Sequence, residues 1–175
     1  YKEALRLSKE NSLCFIHPFN DPEVIAGQGT IAVELEQQLK EPPEAIYVAV
    51  GGGGLIAGIS VYIKKIWPTV KIIGVEPEDA DAMTKSLKNL ELVELPSVGQ
   101  FADGVAVKKV GDKTFEIGKK YIDKMITVNT AEICAAIKDV FEDTRSILEP
   151  AGALSIAGMK KDIFESNYTN KNMIA

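Results

Sequence analysis

Between positions 50 and 55 the chain reads Val50-Gly51-Gly52-Gly53-Gly54-Leu55, four glycines set between a β-prone run and a helical one. Without side chains, successive N–H groups can curl around an anion, and the partial positive charge of a following helix N-terminus adds to them. No lysine or arginine occurs between Lys40 and Lys64, so a phosphate held here would be held by backbone alone. A merely flexible or tight connection needs one or two glycines rather than four. The type of phosphate ligand stays open at this level. Gly52-x-Gly54-x-x-Ala57 also matches a dinucleotide fingerprint, and Glu76 closes the next strand at about the 20-residue spacing of a ribose-binding acid. A Walker loop is excluded, because Gly58-Ile59-Ser60 lacks the required lysine.

Three further positions have side chains capable of chemistry. Asp103 precedes Gly104-Val105 in a glycine-punctuated stretch and reads either as a site carboxylate or as an Asx turn. Glu149 precedes Pro150 and reads either as a site group or as the polar residue before a helix. His17 is the single histidine, in a proline-containing loop with no second metal-type ligand at useful spacing, and reads as a surface or packing residue.

The elements that must position these residues follow from periodicity and punctuation. Ala45 to Val50 is an unbroken β-prone run suited to a strand buried on both faces. Leu55 to Trp67 is a helix closed by Pro68, and Lys71 to Glu76 is a second buried strand. This β-loop-α-β unit predicts a parallel, right-handed crossover. Upstream, a helical run ends near Asn11, and Leu13 to Ile16 predicts a short buried strand. Asp21-Pro22-Glu23 places an N-cap, a first-turn proline and a first-turn acid before a helix from 22 to 39. Gly27 and Gly29 inside that helix each cost about 1 kcal/mol against alanine, which implies close approach by another backbone or by a ligand, helix packing being the plainer cause. Downstream, helices are predicted over 79–90 and 114–123 and a strand over 124–128. Asn129-x-x-Glu132 then opens a helix carrying Ile133, Ile137, Val140 and Phe141.

The 175 residues are 46% hydrophobic and 26% charged, the balance of a soluble globular domain. A net charge of −5 offers no basic face for nucleic acid. The longest near-apolar stretch, Ala45 to Ser60, falls short of the roughly 18 residues of a membrane span. Cys14 and Cys134 sit among apolar neighbours in sequence and form no C-x-x-C, so a reducing compartment, cytoplasm or an organelle matrix, is expected rather than secretion. The opening at Tyr1 inside a helical pattern and the stop at Met173-Ile174-Ala175, which reads as the first residues of a strand, imply a piece of a longer protein.

Four segments together resemble one known family over almost the whole chain. They are His17-Pro18-Phe19-Asn20-Asp21-Pro22 running into Ile25-Ala26-Gly27-Gln28-Gly29-Thr30, then Gly51 to Leu55, then Phe101 to Val107, and finally Glu149-Pro150-Ala151-Gly152-Ala153-Leu154. The chain is similar to the tryptophan-synthase-β-like pyridoxal-phosphate enzymes. Phe141 to Pro150 taken with Phe101 to Val107 resembles their threonine-dehydratase branch of isoleucine biosynthesis. The resemblance implies an α/β fold with a mostly parallel sheet flanked by helices. It also implies pyridoxal phosphate as cofactor and dehydration of L-threonine to 2-oxobutanoate and ammonia. Serine dehydration or racemisation is the alternative within the family, and a dinucleotide-binding module the alternative outside it.

Residue by residue, the resemblance implies that the N–H groups of Gly51, Gly52, Gly53, Gly54 and Leu55 hold the cofactor phosphate. Asp103, Gly104 and Val105 would lie against the cofactor ring, and Glu149 would approach its edge. Residues 1–19 would close a smaller cofactor domain and 20–175 would form most of the larger one. The full-length protein would be a homo-oligomer acting on a small amino acid. Two departures matter. The lysine that carries the cofactor belongs to a Ser-Phe-Lys type motif, which this chain lacks; Lys64, Lys65, Lys108 and Lys109 lie in other segments, so no catalytic residue is assigned and the chain alone should be inert. Some relatives bind a divalent cation through an acid at the place of Glu76, a carbonyl at Ala80 and a second acid where Ala82 stands here; with that ligand missing, no metal is expected.

Overall fold

The computed structural model describes residues 1–166 and 171–175. In chain order the elements are α1 (Lys2–Glu10), α2 (Pro22–Gln38), β1 (Ala45–Ala49), α3 (Gly54–Ile66), β2 (Lys71–Pro77) and α4 (Ala82–Asn89). A 3-10 turn (Asp103–Val105), α5 (Asp112–Tyr121), β3 (Lys124–Val128), α6 (Thr130–Thr144), α7 (Pro150–Ser166) and β4 (Met173–Ile174) complete the described chain. The strands form one four-stranded sheet in the order β3-β2-β1-β4, with all its pairings parallel. Ala45 stands opposite Lys71 on one side and Met173 on the other, so the residues before Ala175 do form the strand their pattern suggests.

The strand alternation divides the core into two layers. Ile46, Val48, Val50 and Ile72 face Ile56, Ile59, Ile63, Met83 and Phe115, which lie on α3, α4 and α5. Ala45, Tyr47, Ile73 and Val75 face Ile133, Ala136, Leu154 and Ala157 on α6 and α7. Period-two alternation with both faces covered is the signature of a parallel sheet between helical layers. Ile46, Ile56, Ile63 and Ile72 are among the largest fully buried side chains, each contributing about 1.5–3 kcal/mol by leaving water.

Local chemistry explains the boundaries. The Asp21 carboxylate accepts the N–H groups of Glu23 and Val24, and Pro22 opens α2 where its missing N–H costs nothing. Asn129 and Glu132 form a reciprocal capping box at α6. A buried knot ties α7 to the sheet: Tyr47 donates to Asp162 at 2.8 Å, and Lys124 to its other oxygen at 2.5 Å. Burial pushes the Asp162 carboxyl up, but Lys124, Tyr47 and Ser166 outweigh it and hold the group below its ordinary value.

Several expectations need correction. Leu13 to Ile16 is not a buried strand: it has no regular secondary structure and does not pair with the sheet, and Leu13 and Ile16 are exposed. Its apolar run is too short to separate a strand from an extended loop. Helix α4 starts at Ala82 rather than 79, because residues 78–80 turn after β2. Helix α5 starts two residues earlier than its apolar pattern suggests, at Asp112. Both cysteines are exposed despite their apolar neighbours in sequence. Gly29 has the packing partner its position implies, since an added Cβ would lie 3.2 Å from the Gly58 carbonyl of α3; Gly27 faces open space.

Candidate functional site

The glycine run lies at the carboxyl end of β1, where parallel α/β sheets bind ligands. The Val50 N–H still pairs with Val75 at 2.9 Å, and the ladder ends there. From Gly51 to Ile56 the N–H groups meet no acceptor among the described residues. Gly53 is the N-cap of α3 at φ +91°, a left-handed conformation natural to glycine, and no side chain caps the helix. Buried Gly52, Gly53 and Gly54 thus leave consecutive N–H donors unpaired at a helix N-terminus, an arrangement suited to a phosphate.

Each glycine is also required by what packs behind it. A Cβ on Gly51 would lie 2.9 Å from the Val105 Cα, and one on Gly52 would overlap the Phe19 ring. At Gly53 it would meet Met83 Cε at 2.7 Å and Thr114 Oγ1 at 2.9 Å, and at Gly54 the Phe19 carbonyl at 3.1 Å. The loop is therefore seated against neighbours from four other segments, so it is neither a loose connection nor a simple tight turn.

The same contacts assemble the remaining predicted residues. Val105 is buried against Gly51, while Asp103 and Gly104 on the same 3-10 turn are exposed. The Asp103 carboxylate accepts no hydrogen bond among the described residues, so the Asx-turn reading fails; its backbone carbonyl takes the Ala106 N–H instead. A Cβ on Gly104 would lie 3.0 Å from that of Ala151 and 3.6 Å from Glu149 Oε1. Glu149 is exposed at the mouth of α7, and its carbonyl accepts the Ala153 N–H at 3.0 Å. Glu149 thus stands before the helix, with its side chain beside Gly104. Gly51, Val105, Gly104 and Glu149 form one continuous rim, and Leu55 stands half-buried on the first turn of α3.

Of three residues behind the loop, His17 and Asn20 belong to the His17–Pro22 segment and Thr114 to no motif. The His17 ring nitrogen Nδ1 accepts the Asn20 N–H at 3.0 Å and lies edge-on to Phe19 at 4.6 Å, fixing the turn that puts Phe19 beneath Gly52. Asn20 Oδ1 accepts the Lys113 N–H, capping α5 from a distant loop, while its amide donates to Asp112 at 2.5 Å. The Asp112 carboxyl is lowered chiefly by that Asn20 bond and next by the Lys113 N–H. Thr114 donates to the Gly52 carbonyl at 2.7 Å.

Glu76 is not free to serve as a ribose-binding acid. It is fully buried, and its carboxylate accepts Met83 N–H and Thr84 N–H at 2.8 Å and the Thr84 hydroxyl at 2.6 Å, capping α4. A cavity of about 1150 Å³ lies between α2, α3 and α5, is lined by Ile25, Val33, Val61, Tyr62 and Phe115 among others, and shares no residue with the glycine loop.

A parallel sheet between two helical layers, with an uncapped glycine loop at its carboxyl edge, defines a phosphate-cofactor α/β protein. The family model described as pyridoxal-phosphate dependent enzyme matches residues 1–173, and the chain belongs to that family. The biosynthetic L-threonine dehydratase of Burkholderia multivorans is 52% identical over all of this chain and 34% of its own length. The solved processed form of threonine deaminase isoform 2 from Solanum lycopersicum superposes with a TM-score of 0.97 at 48% identity, covering 99% of this chain and 50% of that one. Serine racemase from Dictyostelium discoideum superposes at 0.86 with 35% identity, over 99% and 54%. The chain therefore spans about half the length of these solved relatives and a third of the curated one.

Proposed function

We propose that the full-length protein containing this chain dehydrates and deaminates L-threonine to 2-oxobutanoate and ammonia, using pyridoxal phosphate, as the first step of isoleucine biosynthesis. The row of N–H donors from Gly51 to Ile56, left without acceptors in a chain 52% identical to a threonine dehydratase, carries this reading. On it, Gly51 to Gly54 and Leu55 bind the phosphate, Asp103, Gly104 and Val105 border the ring, and Glu149 lies at its edge. Residues 1–19 close the smaller domain and 20–175 form most of the larger; α1, with no buried residue, is consistent with a face turned to other chain. No lysine here is assigned the catalytic role, and no metal is assigned. The carboxylate of Glu76 is already engaged by Met83 and Thr84. Two exposed free cysteines favour a reducing compartment.

The bound cofactor would supply the electron sink that makes the substrate Cα proton acidic. The residues of this chain bind and orient. Backbone dipoles hold the phosphate dianion without a counter-ion, so its position is set by the loop's shape. The van der Waals seat of Gly51 on Val105 couples the phosphate cup to the ring border, and the contact of Gly104 with Ala151 and Glu149 extends the rim to α7.

An absorbance spectrum of the full-length protein, purified without added cofactor, tests this. A near-violet band that shifts on adding L-threonine, with 2-oxobutanoate released faster than pyruvate from L-serine, is the expected result. A featureless spectrum that pyridoxal phosphate cannot restore overturns the cofactor, and faster serine turnover or racemisation overturns the substrate.

A further inference from the structure

Thr114, on the first turn of α5, is completely buried and belongs to none of the rim contacts. Its hydroxyl has two carbonyls in reach, Gly52 at 2.7 Å and Gly111 at 3.1 Å, and its single proton goes to the nearer. The Gly111 N–H reaches the same Gly52 oxygen at 3.3 Å. Among the described residues no peptide bond is cis, so the Gly52 carbonyl and the Gly53 N–H point in opposite directions across their peptide plane. With the carbonyl pinned to α5, the Gly53 N–H is turned away from α5, among the donors that lack acceptors. A Gly-Gly peptide has no side chains to resist rotation, so its orientation must be imposed from outside. Gly53 fits this seat closely, because a Cβ there would strike Thr114 itself.

We infer that Thr114 is a positioning residue for phosphate binding: it locks the Gly52-Gly53 peptide so that the Gly53 N–H faces the anion. This rests on the reading of Gly51 to Leu55 as the phosphate cup. The lock acts only on a ligand that carries a phosphate, which separates it from a general packing role.

The test measures dissociation constants of pyridoxal phosphate and of pyridoxal, its phosphate-free form, by absorbance titration of the full-length apoprotein. Wild type is compared with Thr114→Val, Thr114→Ala and Thr114→Ser, and each variant's thermal midpoint is recorded. Thr114→Val and Thr114→Ala should weaken pyridoxal phosphate about tenfold, the scale of one charge-assisted hydrogen bond. Their pyridoxal affinity should stay within about twofold of wild type, and Thr114→Ser, which keeps the hydroxyl, should retain both affinities. If wild type prefers pyridoxal phosphate and Thr114→Val and Thr114→Ala keep the full preference, or lose both ligands alike with a lowered midpoint, the inference is overturned and the phosphate cup stands. If wild type binds the two ligands equally, the cup reading itself fails and takes the inference with it. Thr114→Ala relieves crowding at Gly53, so it decides the matter should Thr114→Val not fold.

Discussion

Folding stability should fall as pH rises from 4.5 to 7, and Glu76 should be the cause. Burial pushes its carboxyl up from 4.5 to about 7, against the opposing pull of the Thr84 and Met83 hydrogen bonds and with a smaller upward push from Asp81. The folded chain therefore holds a proton that the unfolded chain has released. The stability this contributes is fully present below pH 4.5, declines through the interval and is gone above about 7. At about 1.36 kcal/mol per pH unit, the interval is worth about 3 kcal/mol. The carboxyls of Glu3, Glu44, Asp112 and Asp162 are all lowered, so they change stability at more acid pH. Urea unfolding followed by fluorescence of Trp67, the single tryptophan of the chain, measures the effect between pH 5 and 8. Glu76→Gln removes the titration but turns an amide N–H₂ toward donors, costing about 1–3 kcal/mol for the bond it cannot accept. Wild type should be clearly more stable than the variant at pH 5 and lose that lead toward pH 8. Parallel pH profiles for the two proteins would refute the assignment.

Two helix substitutions should move in opposite directions, and one cap should matter only locally. Gly58→Ala places a Cβ onto the Ile25 carbonyl and 2.6 Å from the Gly29 nitrogen, so overpacking of about 1–3 kcal/mol should exceed the gain of about 1 kcal/mol in helix propensity and lower the denaturation midpoint. Gly27→Ala meets nothing within 4 Å and should add up to about 1 kcal/mol of stability, raising that midpoint. Asn129→Ala breaks the capping box at α6 and should cost about 1 kcal/mol in the same unfolding assay, while cofactor affinity stays unchanged.

What could be read before the structure was known divides by the range of the interaction responsible. Strands β1 to β3 and the caps at Asp21 and Asn129 are written in adjacent residues, because alternation and capping act within a few positions. The glycine cup is equally local. Its backing is not: Phe19, Thr114 and Val105 reach the loop across long stretches of chain, and nothing in a Thr114-Phe115 dipeptide signals a hydroxyl aimed at Gly52. Glu76 shows the converse. Its position in sequence fits a ribose-binding acid, yet the turn at 78–80 brings the first turn of α4 back over it, whose donors occupy both of its carboxylate oxygens. Leu13 to Ile16 has the composition of a strand, but composition does not supply a neighbour to pair with.

A cup made only of backbone donors depends on geometry in a way that a lysine or arginine cluster does not. Flexible cations can follow a phosphate; an N–H group fixed in a peptide plane cannot, so an error of orientation loses the bond. Selection should then act on whatever fixes the planes. Here those fixtures come from every side: Val105 from the 3-10 turn, Phe19 held by His17, and Thr114 on a helix whose own N-terminus is capped by Asn20. Because Asn20 and Phe19 belong to one turn, the segment from His17 to Asn20 sets both the floor of the loop and the placement of α5. The single histidine thereby bears on the candidate cup through the shape it imposes on that turn.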